Sequence, residues 1–173
     1  MKQPKDRIIF PLDVSHPEDA RRYVRLLAGR VGLFKVGLEL FIRCGPEIVR
    51  EVRETGCAGV FLDLKLHDIP ATVGRAMRRV AELGATFATV HCSGGAAMLA
   101  AAVAGSEGRV NVLGVTVLTS LATDDLTALG IRSELADDIA ELAAHRAAMA
   151  RRAGCAGVIC SGREAAVIRA TAR

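Results

Sequence analysis

Two stretches, "RETGCAGVFLDLK" at residues 53–65 and "RRAGCAGVICSGR" at residues 151–163, carry the same sequence pattern. Each runs from the polar end of a helix, through a glycine turn, into an apolar strand, and "AELGATFATVHC" (81–92) is a looser copy. A repeated helix, glycine and strand unit is typical of parallel α/β barrels, in which strands and helices alternate. The repeats therefore predict this alternation along the whole chain.

Six short apolar runs fit the strands of this pattern. They are rich in Val, Ile, Leu and Phe and lack polar alternation, as expected for strands that are buried on both faces. The predicted strands are "RIIFPLDV" (7–14), "GLFKVGLEL" (32–40), "GVFLDLKL" (59–66), "TFATVHC" (86–92), "VNVLGVTVL" (110–118) and "GVICS" (157–161). Helices are predicted between them, with prolines in their first turns, and the longest helix covers 133–154.

The number of units limits the architecture. Six strand–helix units account for 173 residues, whereas a closed barrel of eight units typically needs ~250 residues. We predict the α/β class and a (β/α)8 TIM barrel truncated to about six units, as a single domain over 1–173 that lacks the last two units. The alternative is an open doubly wound sheet, which usually has a glycine-rich turn after its first strand. Here "PLDVSHPED" follows without glycine, which favours the incomplete barrel.

Composition argues against nucleic-acid and membrane partners. The net charge is +4, aromatic residues make up 3% of the chain, and the arginines are scattered over helix-like stretches, which favours solvated helix faces over a nucleic-acid site. No apolar run reaches the ~18 residues of a membrane span, and "MKQPKDR" has no apolar segment behind it. The five cysteines lack metal-site spacing, so we interpret them as small buried apolar residues of a cytoplasmic protein. They are Cys44, Cys57, Cys92, Cys155 and Cys160.

Polar residues mark the predicted carboxyl ends of the strands, where barrels of this kind form their active sites. Asp13 ends the first predicted strand, Lys35 lies late in the second, and Asp63 and Lys65 end the third. Because side chains alternate along a strand with a period of two, Asp63 and Lys65 are expected on the same side. The ends of strands four to six carry His91, Thr119 and Ser161.

Asp63 and Lys65 are the strongest candidates for chemistry. Two charges on a buried strand cost several kcal/mol each in desolvation unless they are paired. Alternating charges at Lys35, Asp63, Lys65 and Asp68 would stabilise one another, because unlike charges ~4 Å apart interact by up to about 4 kcal/mol at an effective dielectric constant of about 20. This pattern predicts a charged network at one end of the barrel.

Structural interpretations stay open for the other polar residues. Asp13 can be a turn residue, and Lys35 can extend to solvent. Asp68 can cap the helix that begins near Pro70. His91 is more typical of a hydrogen-bonded core residue than of a catalyst.

Five motifs together resemble orotidine 5'-phosphate decarboxylase in order and in spacing. They are "FPLDV", "FKVGLEL", "FLDLKLHDIPATV", "VHCSGG" and "VTVLTSL". The resemblance covers about residues 7–170. The D-x-K-x-x-D pattern alone is shared with related sugar-phosphate decarboxylases and aldolase-like synthases, whereas "DLKLHDIPATV" is more specific. The resemblance implies a homodimeric (β/α)8 barrel that converts orotidine 5'-phosphate to uridine 5'-phosphate and CO₂, the last step of de novo pyrimidine synthesis, without a metal or organic cofactor.

The resemblance also implies roles for individual residues. Lys65 would donate a proton to C6 of the pyrimidine, and Asp63 would lie against the substrate carboxylate. Lys35 would hold the charged network and contact the ribose. The remaining substrate contacts would be Asp13 on the ribose, Thr119 on the pyrimidine, and Asp68, Ile69 and Thr72 in the partner subunit's site.

One departure from the family sets a limit. The family grips the phosphate with the loops of strands seven and eight, and neither unit occurs in this chain. If the chain is complete, we expect exposed sheet edges at strands one and six, poor stability and little or no turnover.

Two other functions remain open. A Mg²⁺-dependent sugar-phosphate decarboxylase or synthase would bind its metal through an acidic residue at the end of the second strand, where this chain has Lys35, Val36 and Gly37. A catalytically inactive fragment could dimerise through "HDIPATV" (67–73). Loss of activity in EDTA would favour the first, and no reaction with orotidine 5'-phosphate would favour the second.

Overall fold

The structure, a computed structural model, describes residues 3–55 and 59–171. Its centre is one parallel sheet of six strands that pair in the order of the chain. The strands are β1 (Ile9–Pro11), β2 (Leu33–Gly37), β3 (Val60–Leu66), β4 (Phe87–His91), β5 (Asn111–Val115) and β6 (Gly157–Ile159).

Helices follow every strand. The helices are α1 (Pro17–Leu27), α2 (Leu38–Cys44), α3 (Glu47–Glu54), α4 (Pro70–Glu82), α5 (Gly95–Ser106), α6 (Thr123–Ala128), α7 (Ser133–Asp137), α8 (Ile139–Arg152) and α9 (Ala165–Thr171). Short 3₁₀ turns, Pro4–Arg7 and Cys92–Gly94, precede β1 and follow β4.

The topology confirms an incomplete α/β barrel. Strand order runs from β1 to β6 without reversal, whereas a doubly wound sheet reverses its order at a switch point. Each parallel pair is joined through outer helices, as in the barrel class. β1 and β6 form the two edges of the sheet within the described residues, and Ile9 on β1 is 41% exposed.

The core lies between the sheet and the helices. Phe34, Val36 and Leu62 on the strands are fully buried, and they share one apolar cluster with Val49 of α3 and Met77 of α4. A second, smaller cluster packs α6, α7, α8 and α9 beside the end of β5. The polar alternation expected of a half-exposed sheet is absent from the sequence because both faces of the central strands are covered.

Helices α4 and α5 approach each other closely because of small residues at their contact. A Cβ atom added at Gly105 would collide with the backbone carbonyl oxygen of Gly74. Because the clash would be with backbone atoms inside a helix, which cannot shift like a flexible side chain, a glycine is required at this crossing.

Several predicted boundaries were wrong. The run 32–40 is a strand only to Gly37, because the chain turns there into α2, which buries Leu40. The run 110–118 ends as a strand at Val115. The single helix predicted over 133–154 is two helices, because the Asp138 carboxylate accepts a hydrogen bond from the Glu141 amide and starts α8 afresh. The short helix α6 was not predicted.

Candidate active site

Four charged side chains form one network that extends across β1, β2 and β3. Lys35 Nζ donates to Asp13 Oδ1 at 2.7 Å and lies 3.8 Å from Asp63 Oδ2. Lys65 Nζ donates to the same Asp63 oxygen at 2.9 Å. Asp63 is the most enclosed member, with 13% of its side chain exposed, whereas Lys65 is 37% exposed. The signs alternate along the network, so each charge lies next to an opposite one.

The position of these residues within their elements differs in part from the prediction. Lys35 lies in the middle of β2 and Asp13 lies two residues beyond the end of β1. Asp63 and Lys65 lie in the last four residues of β3, as predicted. The alternating chain of charges runs through Asp13, and Asp68 takes no part in it within this subunit.

Lys65 reaches Asp63 through an irregularity in the sheet. Leu62 pairs with Ala88 and Leu66 pairs with Val90, so three residues of β3 oppose one residue of β4. At this bulge Lys65 adopts φ +51°, in the left-handed region that non-glycine residues rarely enter. The period of two that predicted a common side is therefore broken here, and the contact between Asp63 and Lys65 depends on the bulge.

Thr89 is the polar residue that sequence reasoning missed. It is the single β4 residue opposite the bulge, and it is fully buried. Its hydroxyl accepts a hydrogen bond from the Lys65 backbone amide at 2.9 Å and donates one to Asp63 Oδ1 at 2.9 Å. A threonine in an apolar strand is common, and only the shifted register, which the sequence does not reveal, gives Thr89 these two partners.

Gly37 leaves open space beside the network. It pairs with Asp63 in the sheet, and a Cβ atom at this position would lie 3.2 Å from Asp13 Oδ1 and 3.3 Å from Lys35 Nζ. A side chain there would crowd the ion pair, so the glycine keeps the network accessible.

The residues expected in a partner's site lie at the start of α4. The Asp68 carboxylate accepts a hydrogen bond from the Ile69 amide at 2.6 Å, as a local turn at the helix start. Ile69 is 65% exposed, and Thr72 lies in the first turn, where its hydroxyl accepts from Arg75 at 3.5 Å. Within the described residues, none of the three is bonded to the Asp13–Lys65 network.

Thr119 and Ser161 lie in loops rather than at strand ends. Thr119 follows Val115 by four residues, and Ser161 lies two residues beyond Ile159. Both line a cleft of about 460 Å³, together with Arg163 and the buried Glu164. The Ser161 amide donates to Glu164 Oε2 at 3.1 Å, which fixes this loop. The cleft places a cation and two hydroxyls next to the end of β5.

His91 ends β4, as predicted, but the expected hydrogen bond is absent. Within the described residues its imidazole makes no hydrogen bond, and its ring packs against that of His67 with centroids 5.3 Å apart. Burial and the neighbouring His67 and Lys65 charges hold the pKa of His91 below its ordinary value of 6.5. The neutral form therefore predominates at pH 7.

The interpretation of the cysteines as buried apolar residues holds fully for Cys92 and in part for the other described cysteines. Cys92 is buried, whereas Cys44, Cys155 and Cys160 are half-buried, and all four are free thiols. Burial raises the pKa of the Cys92 thiol to about 12 and that of Cys155 to about 11, so these thiols stay protonated. Cys57 lies outside the described residues.

Residues 3–55 and 59–171 contain neither a metal cluster nor a membrane-spanning helix. No group of three or more histidine, cysteine, aspartate or glutamate side chains is arranged to hold a metal ion. In the same ranges, no helix has the length and apolar character needed to cross a bilayer.

A parallel α/β barrel whose strand ends carry a network of lysines and aspartates has the architecture of a barrel enzyme. The chain belongs to the orotidine 5'-phosphate decarboxylase / HUMPS family, whose model matches residues 6–172. It is 49% identical over 169 residues to an orotidine 5'-phosphate decarboxylase from Desulfosudis oleivorans, covering 97% of this chain and 68% of that protein. The resemblance seen in the motifs is thereby confirmed.

Two solved structures are similar to this chain in both sequence and fold. A crystal structure of orotidine 5'-phosphate decarboxylase from Lactobacillus acidophilus superimposes with a TM-score of 0.84 at 34% identity, covering 94% of this chain and 75% of that one. A conserved protein from Geobacillus kaustophilus gives a TM-score of 0.87 at 40% identity over 94% of this chain and 77% of its own. The six units described above therefore correspond to most of a complete barrel of this family.

Proposed function

We propose that this chain decarboxylates orotidine 5'-phosphate to uridine 5'-phosphate and CO₂, the last step of de novo pyrimidine synthesis. Membership of the family and the names of its relatives support the substrate. The observation that carries the proposal is the contact of Lys65 Nζ with Asp63 at 2.9 Å, because it places an ammonium group and a carboxylate together at the strand ends.

The reaction needs a group that stabilises and then protonates a carbanion. When the bond between C6 and the carboxyl carbon breaks, its electron pair stays on C6, which has no conjugated electron sink. We propose that the Lys65 ammonium lowers the energy of this anion and then transfers a proton to C6, which leaves a neutral amine. Because the ammonium interacts more strongly with the anion than with the ground state, this contact raises the rate.

The rest of the network would position the substrate. We propose that Asp63 lies against the substrate carboxylate, so that repulsion is relieved as CO₂ departs. Lys35 and Asp13 would contact the ribose hydroxyls, and Thr119 would contact the pyrimidine. Binding energy from the remote phosphate would offset the cost of bringing two carboxylates together, and no metal or organic cofactor is required.

We further propose a homodimer, in which Asp68, Ile69 and Thr72 enter the partner subunit's site. Ile69 at the start of α4 is 65% exposed and is therefore accessible for such a contact. We also propose that residues 1–173 form one barrel domain. The free thiols suit a reducing compartment, and the cytoplasm is the location we propose.

Ultraviolet absorbance of the pyrimidine, with chromatographic detection of uridine 5'-phosphate, tests the proposal directly. Where strands seven and eight and their phosphate-binding loops complete the barrel, we expect conversion at equal rates with and without EDTA, and this form is the parent for the variants below. Loss of activity in EDTA would instead favour a function like that of the Mg²⁺-dependent sugar-phosphate relatives. This protein should then turn over 3-keto-gulonate 6-phosphate. No product from orotidine 5'-phosphate at high enzyme concentration would favour an inactive dimerising fragment.

A further inference from the structure

We propose that Thr89 is a positioning residue that fixes Asp63 and Lys65 relative to each other. This inference rests on the proposed function, since it concerns the same reaction. Thr89 is on β4, whereas the two charged residues are on β3, so it holds their geometry from the neighbouring strand. Thr89 is fully buried, so solvent does not reach it from the exposed side of the network.

The direction of each hydrogen bond is determined by the partners. A backbone amide can only donate, so the Thr89 oxygen accepts from Lys65 N at 2.9 Å. Its one hydroxyl proton is therefore free for Asp63 Oδ1, also at 2.9 Å. A single hydroxyl thus joins the backbone of the proposed proton donor to the carboxylate beside it.

This bridge orients the carboxylate of Asp63. Thr89 occupies Oδ1, while Lys65 and Lys35 both lie next to Oδ2, at 2.9 and 3.8 Å. With one oxygen held by a buried donor, rotation about the terminal bond of Asp63 would lose contacts at both ends. The oxygen that faces the lysines is therefore fixed by a residue outside the charged set.

The bridge also supports the bulge. Between Leu62 and Leu66 the pairing of β3 with β4 is interrupted. The Lys65 amide therefore donates to the Thr89 hydroxyl, which is a side-chain rather than a backbone acceptor. The left-handed conformation of Lys65 persists only where the surroundings hold it. Threonine suits this task because branching at Cβ restricts its first side-chain torsion.

The test compares Thr89→Val, which keeps the shape and removes the hydroxyl, with Thr89→Ser, which keeps the hydroxyl. Thr116→Val is the matched control, since Thr116 is a buried threonine just beyond β5 whose hydroxyl donates to the Ile159 carbonyl at 3.1 Å. We expect Thr89→Val to lower kcat by roughly 10- to 100-fold with KM changed less than about twofold, since the defect is in the reacting geometry. Thr89→Ser should recover most of kcat, and Thr116→Val should stay within about twofold of the parent.

Amide hydrogen exchange provides a readout that does not depend on turnover. Thr89→Val should accelerate exchange of the Lys65 amide selectively, whereas Thr116→Val should not. Unchanged kcat in Thr89→Val, an equal loss in Thr116→Val, or no recovery in Thr89→Ser would each overturn the inference. If Thr89→Val does not fold, Thr89→Ala and Thr116→Ala take their places. An inactive parent would refute the proposed function, and Lys65 exchange would then still decide whether the bridge exists.

Discussion

Lys65 combines an unfavourable backbone conformation with a place at one end of the charged network. A left-handed conformation costs a non-glycine residue roughly 1–2 kcal/mol. Lys65 adopts it at φ +51° while its amide is held by Thr89 and its ammonium by Asp63. Backbone strain that surrounding contacts hold in place is a recurrent property of functional sites, which agrees with the role proposed for Lys65.

Replacing Lys65 by alanine should abolish decarboxylation without unfolding the barrel. The variant loses both the cation that stabilises the carbanion and the proton donor, so we expect kcat to fall by at least about 10³-fold. Circular dichroism should remain that of the parent. Lys5→Ala is the control, because Lys5 is an exposed lysine outside the charged network whose ammonium donates to the Gly29 carbonyl oxygen at 3.0 Å. An active Lys65→Ala variant would refute the mechanism.

His91 should make the free energy of unfolding decrease as the pH falls below about 6.5. Its pKa in the folded protein lies below 6.5, so the unfolded chain binds a proton first as the pH falls. The free energy of unfolding should therefore decrease as the pH falls below about 6.5, the pKa of an ordinary histidine. The lowered pKa of Glu51, caused by its hydrogen bond to Arg21, acts only at lower pH.

Urea unfolding at pH 7.5 and 5.5 measures this effect. His91→Gln should reduce the difference between the two midpoints, whereas His16→Gln should preserve it, because His16 is exposed. A full pH dependence in His91→Gln would show that another group is responsible.

Among the elements, strand positions were more predictable than strand ends. The apolar runs located all six strands, because burial on both faces leaves a continuous pattern in the sequence. The pattern does not reveal where hydrogen bonding stops, so Thr119 was placed at a strand end although β5 stops at Val115. The motif "FLDLKLHDIPATV" (61–73) identified Asp63 and Lys65, but the bulge and its partner Thr89 depend on register between strands and could not be predicted.

The break between α7 and α8 depends on one carboxylate. Asp138 Oδ1 accepts a hydrogen bond from the Glu141 amide at 3.0 Å, which satisfies one of the free donors at the start of α8. Asp138→Ala should lower the free energy of unfolding by about 1 kcal/mol, as for other helix N-caps. Asp137→Ala is the matched control, since this exposed neighbour is the last residue of α7. Equal effects on thermal unfolding would contradict the capping role.

At the scale of the whole molecule, we expect the charged network to serve its own subunit's site and the segment at the start of α4 to serve the partner's site. Asp63 and Lys65 form an ion pair, whereas the Asp68 carboxylate accepts a hydrogen bond from the Ile69 amide and is not bonded to the network in the part of the chain that the structure describes. One short stretch of sequence would thus supply its own subunit's pocket from β3 and its partner's pocket from α4. A symmetric dimer permits this exchange, because each contact across the two-fold axis occurs twice.

Mixing inactive variants tests the exchange. In a mixed dimer of Lys65→Ala and Asp68→Ala subunits, the Asp68→Ala subunit keeps its own Lys65 and receives Asp68 from its partner. One complete site therefore forms in each mixed dimer, and random exchange should restore ~25% of the parent activity, because half of the dimers are mixed. Lys65→Ala mixed with Asp63→Ala is the control. Both of those residues serve their own subunit, so neither site of that mixed dimer is complete and activity should stay absent. Failure of the first mixture to regain activity, although subunits exchange, would mean that Asp68 does not act in the partner's site.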